Sequence, residues 1–181
     1  MTTPPAAAAR QRILITGMSG TGKSSVVLKL IERGYVAVDA DAQGYSAEVP
    51  APEDELTGIG PGRDWVWQEE AIRALLDRPD PVIFLAGCSP NQGAFYPALT
   101  HVILLTASPA VITERLATRA NNPFGKDPGE LARTLALQAE IEPLLRRSAT
   151  HVIDTSASLD DVVMEVLRSS TRPPSAARHG S

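Results

Sequence analysis

Residues 13–24 read Ile13-Leu14-Ile15-Thr16-Gly17-Met18-Ser19-Gly20-Thr21-Gly22-Lys23-Ser24. A glycine, four residues and then Gly-Lys-Ser follow a short β-branched run and open a helical pattern, which is the context a phosphate-binding loop requires. The glycines permit backbone angles that turn successive N–H groups inward. The N-terminus of the helix that follows adds a partial positive charge. Lys23 is placed to reach the β- and γ-phosphates of a nucleotide, and the Ser24 hydroxyl to ligate Mg²⁺. At average glycine and lysine usage, a chance match in a chain this long is on the order of one percent or less. The stretch therefore predicts a loop that holds the phosphates of ATP or a similar nucleoside triphosphate with Mg²⁺. Its cofactor contacts would come from Gly17, Ser19, Gly20, Thr21, Gly22, Lys23, Ser24 and Ser25.

Outward from this loop, apolar bursts alternate with helical patterns, as in a parallel sheet covered by helices. Runs at 13–16, 36–38, 82–86, 102–106 and 151–153 are short and β-branched, and read as buried strands. Helices are expected near 23–33, 65–77, 109–120, 128–147 and 159–169. Ser108 before Pro109, Asp127 three residues before Glu130, and Ser158 three before Asp161 carry N-cap chemistry. Pro143 should kink or split the fourth helix. Residues 42–62 and 121–127 show no periodicity, and a loop of the first length is functional or disordered. The tails, 1–10 and 170–181, read as unstructured, leaving one domain at 11–169.

Composition narrows the function classes. A net charge of −4 offers no basic footprint for nucleic acid. The single cysteine, Cys88, excludes an internal disulfide framework and fits a reducing compartment. No apolar run approaches a membrane span, and residues 1–10 lack the pattern of a secretory signal. The expectation is a cytoplasmic protein, monomeric or homodimeric, without nucleic-acid or membrane partners.

The second predicted strand ends in Val38-Asp39-Ala40-Asp41, and strand C-termini border the ligand crevice of a doubly wound sheet. Two carboxylates so spaced can divide the work, one holding the metal's water shell and the other orienting or deprotonating an acceptor hydroxyl; a solvated acidic turn is the plain alternative. The third strand ends in Gly87-Cys88 where a motor-type ATPase carries an acid, which argues against that class. Gly87 suggests close approach of backbone to a ligand, and Cys88 a small buried side chain. Arg115, Arg119 and Lys126 flank the polar stretch 121–125 and mark a lid at about 119–129, with Arg119 closing on the transferring phosphate. An exposed basic helix end would carry the same residues. Trp65 reads as core, and Arg63 as a substrate contact or part of a solvated face.

With these features in place, residues 12–169 resemble the P-loop small-molecule kinases, in particular shikimate kinases and their gluconate- and nucleotide-kinase relatives. The resemblance implies a three-layer α/β fold with a five-stranded parallel sheet in order 2-3-1-4-5, a substrate segment after strand two and a closing lid. It also implies Asp39 beside Mg²⁺, Asp41 against the acceptor hydroxyl, and an adenine-side loop at Ile153-Asp154-Thr155-Ser156. Where shikimate kinases grip the substrate carboxylate with an arginine, this chain has Ile141, which removes the planar fork a carboxylate needs.

The reading is an ATP-dependent phosphotransferase acting on a hydroxyl of a small metabolite other than shikimate. Its site would comprise Lys23, Asp41 and Arg119 as catalytic groups, Arg115 and Ser156 at the nucleotide, Asp39, Asp41, Arg63 and Gly87 at the acceptor, and Ser24 and Asp39 at the metal. A nucleoside or nucleotide kinase, and a nucleotide-binding regulator with weak hydrolysis, are the alternatives. Glu48, Glu53, Asp54, Glu55, Glu140 and Glu142 are expected to gather on the acceptor side, which predicts a neutral or amine-bearing acceptor.

Overall fold

The run 13–16 becomes the last four residues of β1 (Gln11–Thr16), the middle strand of a five-stranded sheet. In this computed structural model, residues 10–41, 44–118, 120 and 126–172 are described. β1 pairs in parallel with β5 (Val82–Ala86) on one side and β6 (His101–Thr106) on the other, with Ile13 opposite both Phe84 and His101. β2 (Val36–Asp39) and β7 (His151–Asp154) complete the edges, giving the order β2-β5-β1-β6-β7. For the five strands read from the sequence this is 2-3-1-4-5, as expected.

Burial on both faces explains why the strands are continuously apolar. Along β1, Ile13 and Ile15 face a core shared with Val26, Val27 and Leu30 of α1 (Lys23–Glu32) and Val162, Val163 and Val166 of α5 (Leu159–Thr171). Leu14 faces the opposite core, with Ile72, Leu75 and Leu76 of α2 (Glu69–Asp77). α3 (Pro109–Thr118) and α4 (Pro128–Ser148) follow β6. The sequence-read caps hold: Asp127 Oδ1 accepts from Gly129 N and Glu130 N, Ser158 Oγ from Asp161 N, and Ser108 Oγ from Val111 N. α4 continues through Pro143 as one helix rather than splitting.

The main departure lies between β2 and α2. The stretch read as aperiodic contains β3 (Ser46–Pro50), and the helix expected from residue 65 starts only at Glu69. Residues Arg63–Trp67 form β4, antiparallel to β3 with Ser46 opposite Trp67 and Pro50 opposite Arg63. Alternating tryptophans suit an extended strand, and they send Trp67, not Trp65, into the core: Trp67 is 1% exposed and Trp65 half-buried. A 3₁₀ helix at Gln92–Ala98, which the periodicity did not show, follows β5.

At the opposite end of β1, buried Arg12 donates to the carbonyls of Leu76 (2.5 Å), Arg78 (2.6 Å), Gln11 (2.9 Å) and Asp80 (3.0 Å). It satisfies the end of α2 and pins it to the sheet. α5 runs to Thr171, two residues past the expected domain end. The tail expectations for 1–9 and 173–181 lie outside the described residues.

Candidate functional site

At the C-terminal ends of β1, β2 and β5 lies a cavity of about 600 Å³. The phosphate loop forms its floor, with Met18 through Val26 all contributing to the lining. Gly22 is the N-cap of α1 in a left-handed conformation (φ 95°, ψ 12°), so the helix opens with its N–H groups toward the hollow. The Lys23 ammonium donates to Gly17 O at 2.7 Å and Met18 O at 3.3 Å, which holds it over the loop. Thr21 closes the loop from below, its hydroxyl donating to Met18 O at 2.8 Å.

The expected carboxylate pair meets this floor. Ser24 Oγ donates to Asp39 Oδ2 at 2.5 Å, and the other oxygen, Oδ1, accepts from Asp41 N at 3.2 Å. A hydroxyl and a carboxylate oxygen in contact are hard donors of the kind Mg²⁺ takes, with phosphates and water completing its shell. Among the described residues no cluster of three or more His, Cys, Asp or Glu could hold a metal by itself, so a nucleotide would have to share the ligation. Ser24 and Asp39 thus fit an Mg²⁺ that arrives with phosphates.

Asp41, half-buried, lies toward β5. Trp67 Nε1 donates to its Oδ1 and Cys88 N to its Oδ2, each at 3.3 Å. Burial pushes its pKa above the ordinary carboxylate range, against the opposing pull of Lys23 and these hydrogen bonds. Desolvation likewise raises the Cys88 thiol, favouring its protonated form, although the residue expected to be buried is half-buried and lines the cavity. Gly87 makes the close approach the sequence suggested, but to protein: a Cβ there would lie 2.8 Å from Asp41 Oδ1 and 2.9 Å from Trp67 Cζ2.

Three groups supporting Asp41 escaped the sequence reading. Trp67 N donates to Ser89 Oγ and Asn91 Oδ1, while Asn91 Nδ2 donates to Trp67 O at 2.9 Å. Asn91 thus bonds both backbone groups of Trp67 as a neighbouring strand would. Buried Gln92 accepts from Thr16 Oγ1 at 3.0 Å and Ser89 N at 3.4 Å, tying the segment after β5 to the base of the phosphate loop. The run Ser89-Pro90-Asn91-Gln92 after a strand was the available signal.

Other expectations need correction. Arg115 lines the cavity, and rather than standing free before the lid it donates to Gly20 O at 3.4 Å, Thr155 Oγ1 at 2.8 Å and Thr155 O at 2.5 Å, fastening the phosphate loop to the segment after β7. Thr155 and Ala157 line the cavity there, whereas exposed Ser156 turns its hydroxyl onto Asp154 Oδ1. Exposed Arg63 pairs with Glu48 at 3.5 Å and is not part of the lining, which Gly58 reaches instead. The acids expected around the acceptor are also elsewhere. Glu142 bonds Arg146 and Gln138, Asp54, Glu55 and Glu140 are exposed, and Asp39 and Asp41 are the carboxylates among the described lining residues. The premise for a cationic or neutral acceptor is gone. Arg119 and 121–125 of the expected lid lie outside the described residues. Among the described residues no helix is long and apolar enough to cross a membrane.

A family profile described as AAA domain matches residues 13–152. The chain is 28% identical over 160 residues to a shikimate kinase of Geobacter metallireducens, covering 86% of this chain and 89% of that relative. It is 30% identical over 151 residues to a nucleotide-binding protein of Gluconacetobacter diazotrophicus; that alignment takes in 82% of this chain but only 38% of the longer relative. Among solved structures, a shikimate kinase from Acinetobacter baumannii in complex with shikimate superposes with a TM-score of 0.60 at 18% identity, over 89% of this chain and 93% of that one. At that identity the likeness shows the fold.

Proposed function

The chain belongs to the AAA domain family of P-loop proteins, and from that premise we propose that it is an ATP-dependent phosphotransferase that moves the γ-phosphate of Mg·ATP to a hydroxyl of a small metabolite. The observation that carries this reading is Asp41, a half-buried carboxylate in the same cavity as Lys23 with a donor on each oxygen. A protein that only held a nucleotide would need the loop, not a second acid whose pKa is raised by desolvation beside it.

In this reading Gly17 to Ser25 cradle the phosphates, and Lys23 leaves the loop carbonyls to stabilise charge on the transferring oxygens. Ser24 and Asp39 would hold Mg²⁺, which would supply charge neutralisation at the phosphates. Asp41 orients the acceptor hydroxyl and takes its proton. Arg115 holds the loop against Thr155, and Arg119 is proposed to close from the lid. Ile141 packs in an apolar cluster with Met18, Leu104, Leu137 and Leu145, so no guanidinium stands there for a carboxylate and shikimate is not the proposed acceptor.

The test is a metabolite-library screen for ATP consumption, with transfer confirmed by product mass. A phosphorylated product from wild type and none from Asp41→Asn is the expected result. The 30% identity to a nucleotide-binding protein favours a second reading, a nucleotide-binding regulator with weak hydrolysis. Phosphate release with no phosphorylated product from any acceptor would favour it over transfer.

A further inference from the structure

Trp67, the last residue of β4, is fixed from every side. Ser89 and Asn91 hold its backbone N–H, Asn91 holds its carbonyl, and its ring lies 5.8 Å from that of Phe95 at a 48° tilt. Burial alone would account for the ring, but not for where the indole N–H goes. That donor is aimed at Asp41 Oδ1, 26 residues away in the chain and on the wall of the cavity. Cys88 N takes the other oxygen from the β5 side. Two donors on two oxygens fix the plane of the carboxylate, and each oxygen keeps a lone pair for a hydroxyl.

We infer that Trp67 is a positioning residue for phosphoryl transfer: its indole N–H sets the orientation of Asp41 toward the acceptor, and the β3–β4 hairpin exists at this place in the fold to deliver that donor. The inference deepens the proposed function and rests on its reading of Asp41 as the acceptor-side acid. A carboxylate left to rotate would meet the acceptor hydroxyl in the productive plane only part of the time, and orientation of this kind governs turnover more than nucleotide affinity. The indole does not touch the phosphate loop by any hydrogen bond among the described residues, so nucleotide binding should not depend on it.

The test uses the full chain with Trp65→Phe, which leaves position 67 as the one tryptophan. In that protein the indole N–H gives one ¹H–¹⁵N signal, and with Mg·AMP-PNP present it should move when Asp41→Asn is added. Incorporating β-(benzothien-3-yl)alanine at position 67 in a tryptophan auxotroph keeps the fused rings and removes only the N–H. Phosphate release from Mg·ATP, with water standing in for the acceptor, should then fall about tenfold, the worth of one hydrogen bond to a charged group. Affinity for Mg·AMP-PNP and the thermal midpoint should stay unchanged, which separates positioning from packing. Asp41→Asn added to the isostere should cost no more than Asp41→Asn alone, because both remove the same interaction. If the isostere turns over at the Trp65→Phe rate while Asp41→Asn is impaired, Trp67 is a packing residue and the inference is overturned with the role of Asp41 intact. If Asp41→Asn itself turns over normally, the reading of Asp41 fails and the inference falls with it.

Discussion

Replacing Gly87 by alanine tests the geometry at the acceptor end with a single methyl group. Gly87 has φ +150°, and its missing Cβ would lie 2.8 Å from Asp41 Oδ1, 2.9 Å from Trp67 Cζ2 and 3.2 Å from Trp67 Nε1. An ordinary contact is about 3.5 Å, so something must move by roughly 0.6–0.7 Å. Trp67 cannot give, because it is 1% exposed and bonded through both backbone groups. The Asp41 carboxylate is therefore displaced away from its two donors. A misplacement of about 1 Å costs around 10²-fold in rate, so Gly87→Ala should lower turnover by about 10- to 100-fold. Overpacking and an unfavourable φ together cost about 2–4 kcal/mol, which for a chain of this size lowers the thermal midpoint by about 5–15 °C. The loop from Gly17 to Ser25 is untouched, and Mg·AMP-PNP affinity by calorimetry should remain within about twofold. Wild-type turnover and an unchanged midpoint in Gly87→Ala would refute the contact between Gly87, Asp41 and Trp67.

Three further outcomes follow from other parts of the molecule. Lys23→Ala should cut turnover of Mg·ATP by about 10² or more, since it removes the cation proposed to face the transferred phosphate; a steady-state assay giving the wild-type rate would contradict the role of the loop. Arg12→Met orphans the carbonyls of Leu76, Arg78 and Asp80 at the end of α2 and should destabilise by about 3 kcal/mol, read as a lower urea midpoint with Mg·AMP-PNP affinity of the folded protein unchanged. Burial first, then His101 and Arg172, hold the His151 pKa below its ordinary 6.5, with Glu165 opposing. Below pH 6.5 the unfolded chain therefore takes up a proton that the folded one refuses, so stability is full above that pH and declines beneath it. Urea melts across pH 7.5 to 5 should show that decline, and His151→Gln should flatten it.

What the sequence made legible tracks how local the physics is. The phosphate loop and its cap are decided within twelve residues by glycine conformations and a helix start; Met18 to Ser25 line the cavity, while Gly17 packs against Leu105 O rather than joining the lining. The three central parallel strands were legible because they are buried on both faces and read as continuous apolar runs, and the edge strand β7, half-exposed, through its short β-branched run. The hairpin was not, because β3 is exposed along alternate residues and contains Glu48 and Pro50, while the tryptophans of β4 run straight into the helical pattern of α2. Trp67 was passed over for Trp65 for the same reason: helical spacing says nothing about which face of a strand turns inward. Arg115 was placed at the nucleotide from its position before the lid, but that its guanidinium bonds Thr155, 40 residues later, is a pairing no local pattern encodes.

That contrast between local and long-range construction bears on substrate choice. The phosphate floor of the cavity is built from one contiguous segment, whereas the proposed acceptor end would be assembled from Asp41 after β2, Gly58 in the hairpin loop, Cys88 after β5 and Thr134 and Leu137 of α4. A motif can therefore identify the phosphate chemistry while leaving the acceptor open, because the residues that touch the acceptor never lie close enough in sequence to form a motif. The hairpin contributes at both ends of this problem: Gly58 lines the cavity, and Trp67 orients the acid. Its exposed acids at 53–55 point to water, so they give no reason for the acceptor to carry positive charge. Thr57, 4% exposed, accepts from Gly60 N at 3.2 Å and has its single hydroxyl proton within reach of Gly60 O (2.7 Å) and Arg63 O (2.8 Å), which fixes the loop that presents Gly58. If the protein transfers phosphate as proposed, acceptor selection would rest on shape and hydrogen bonding at a loop held by Thr57. Thr57→Val, which keeps the volume but frees the loop, should accordingly raise the KM for any acceptor the screen returns while leaving the KM for ATP in place; equal loss of both would place the loop at the nucleotide instead.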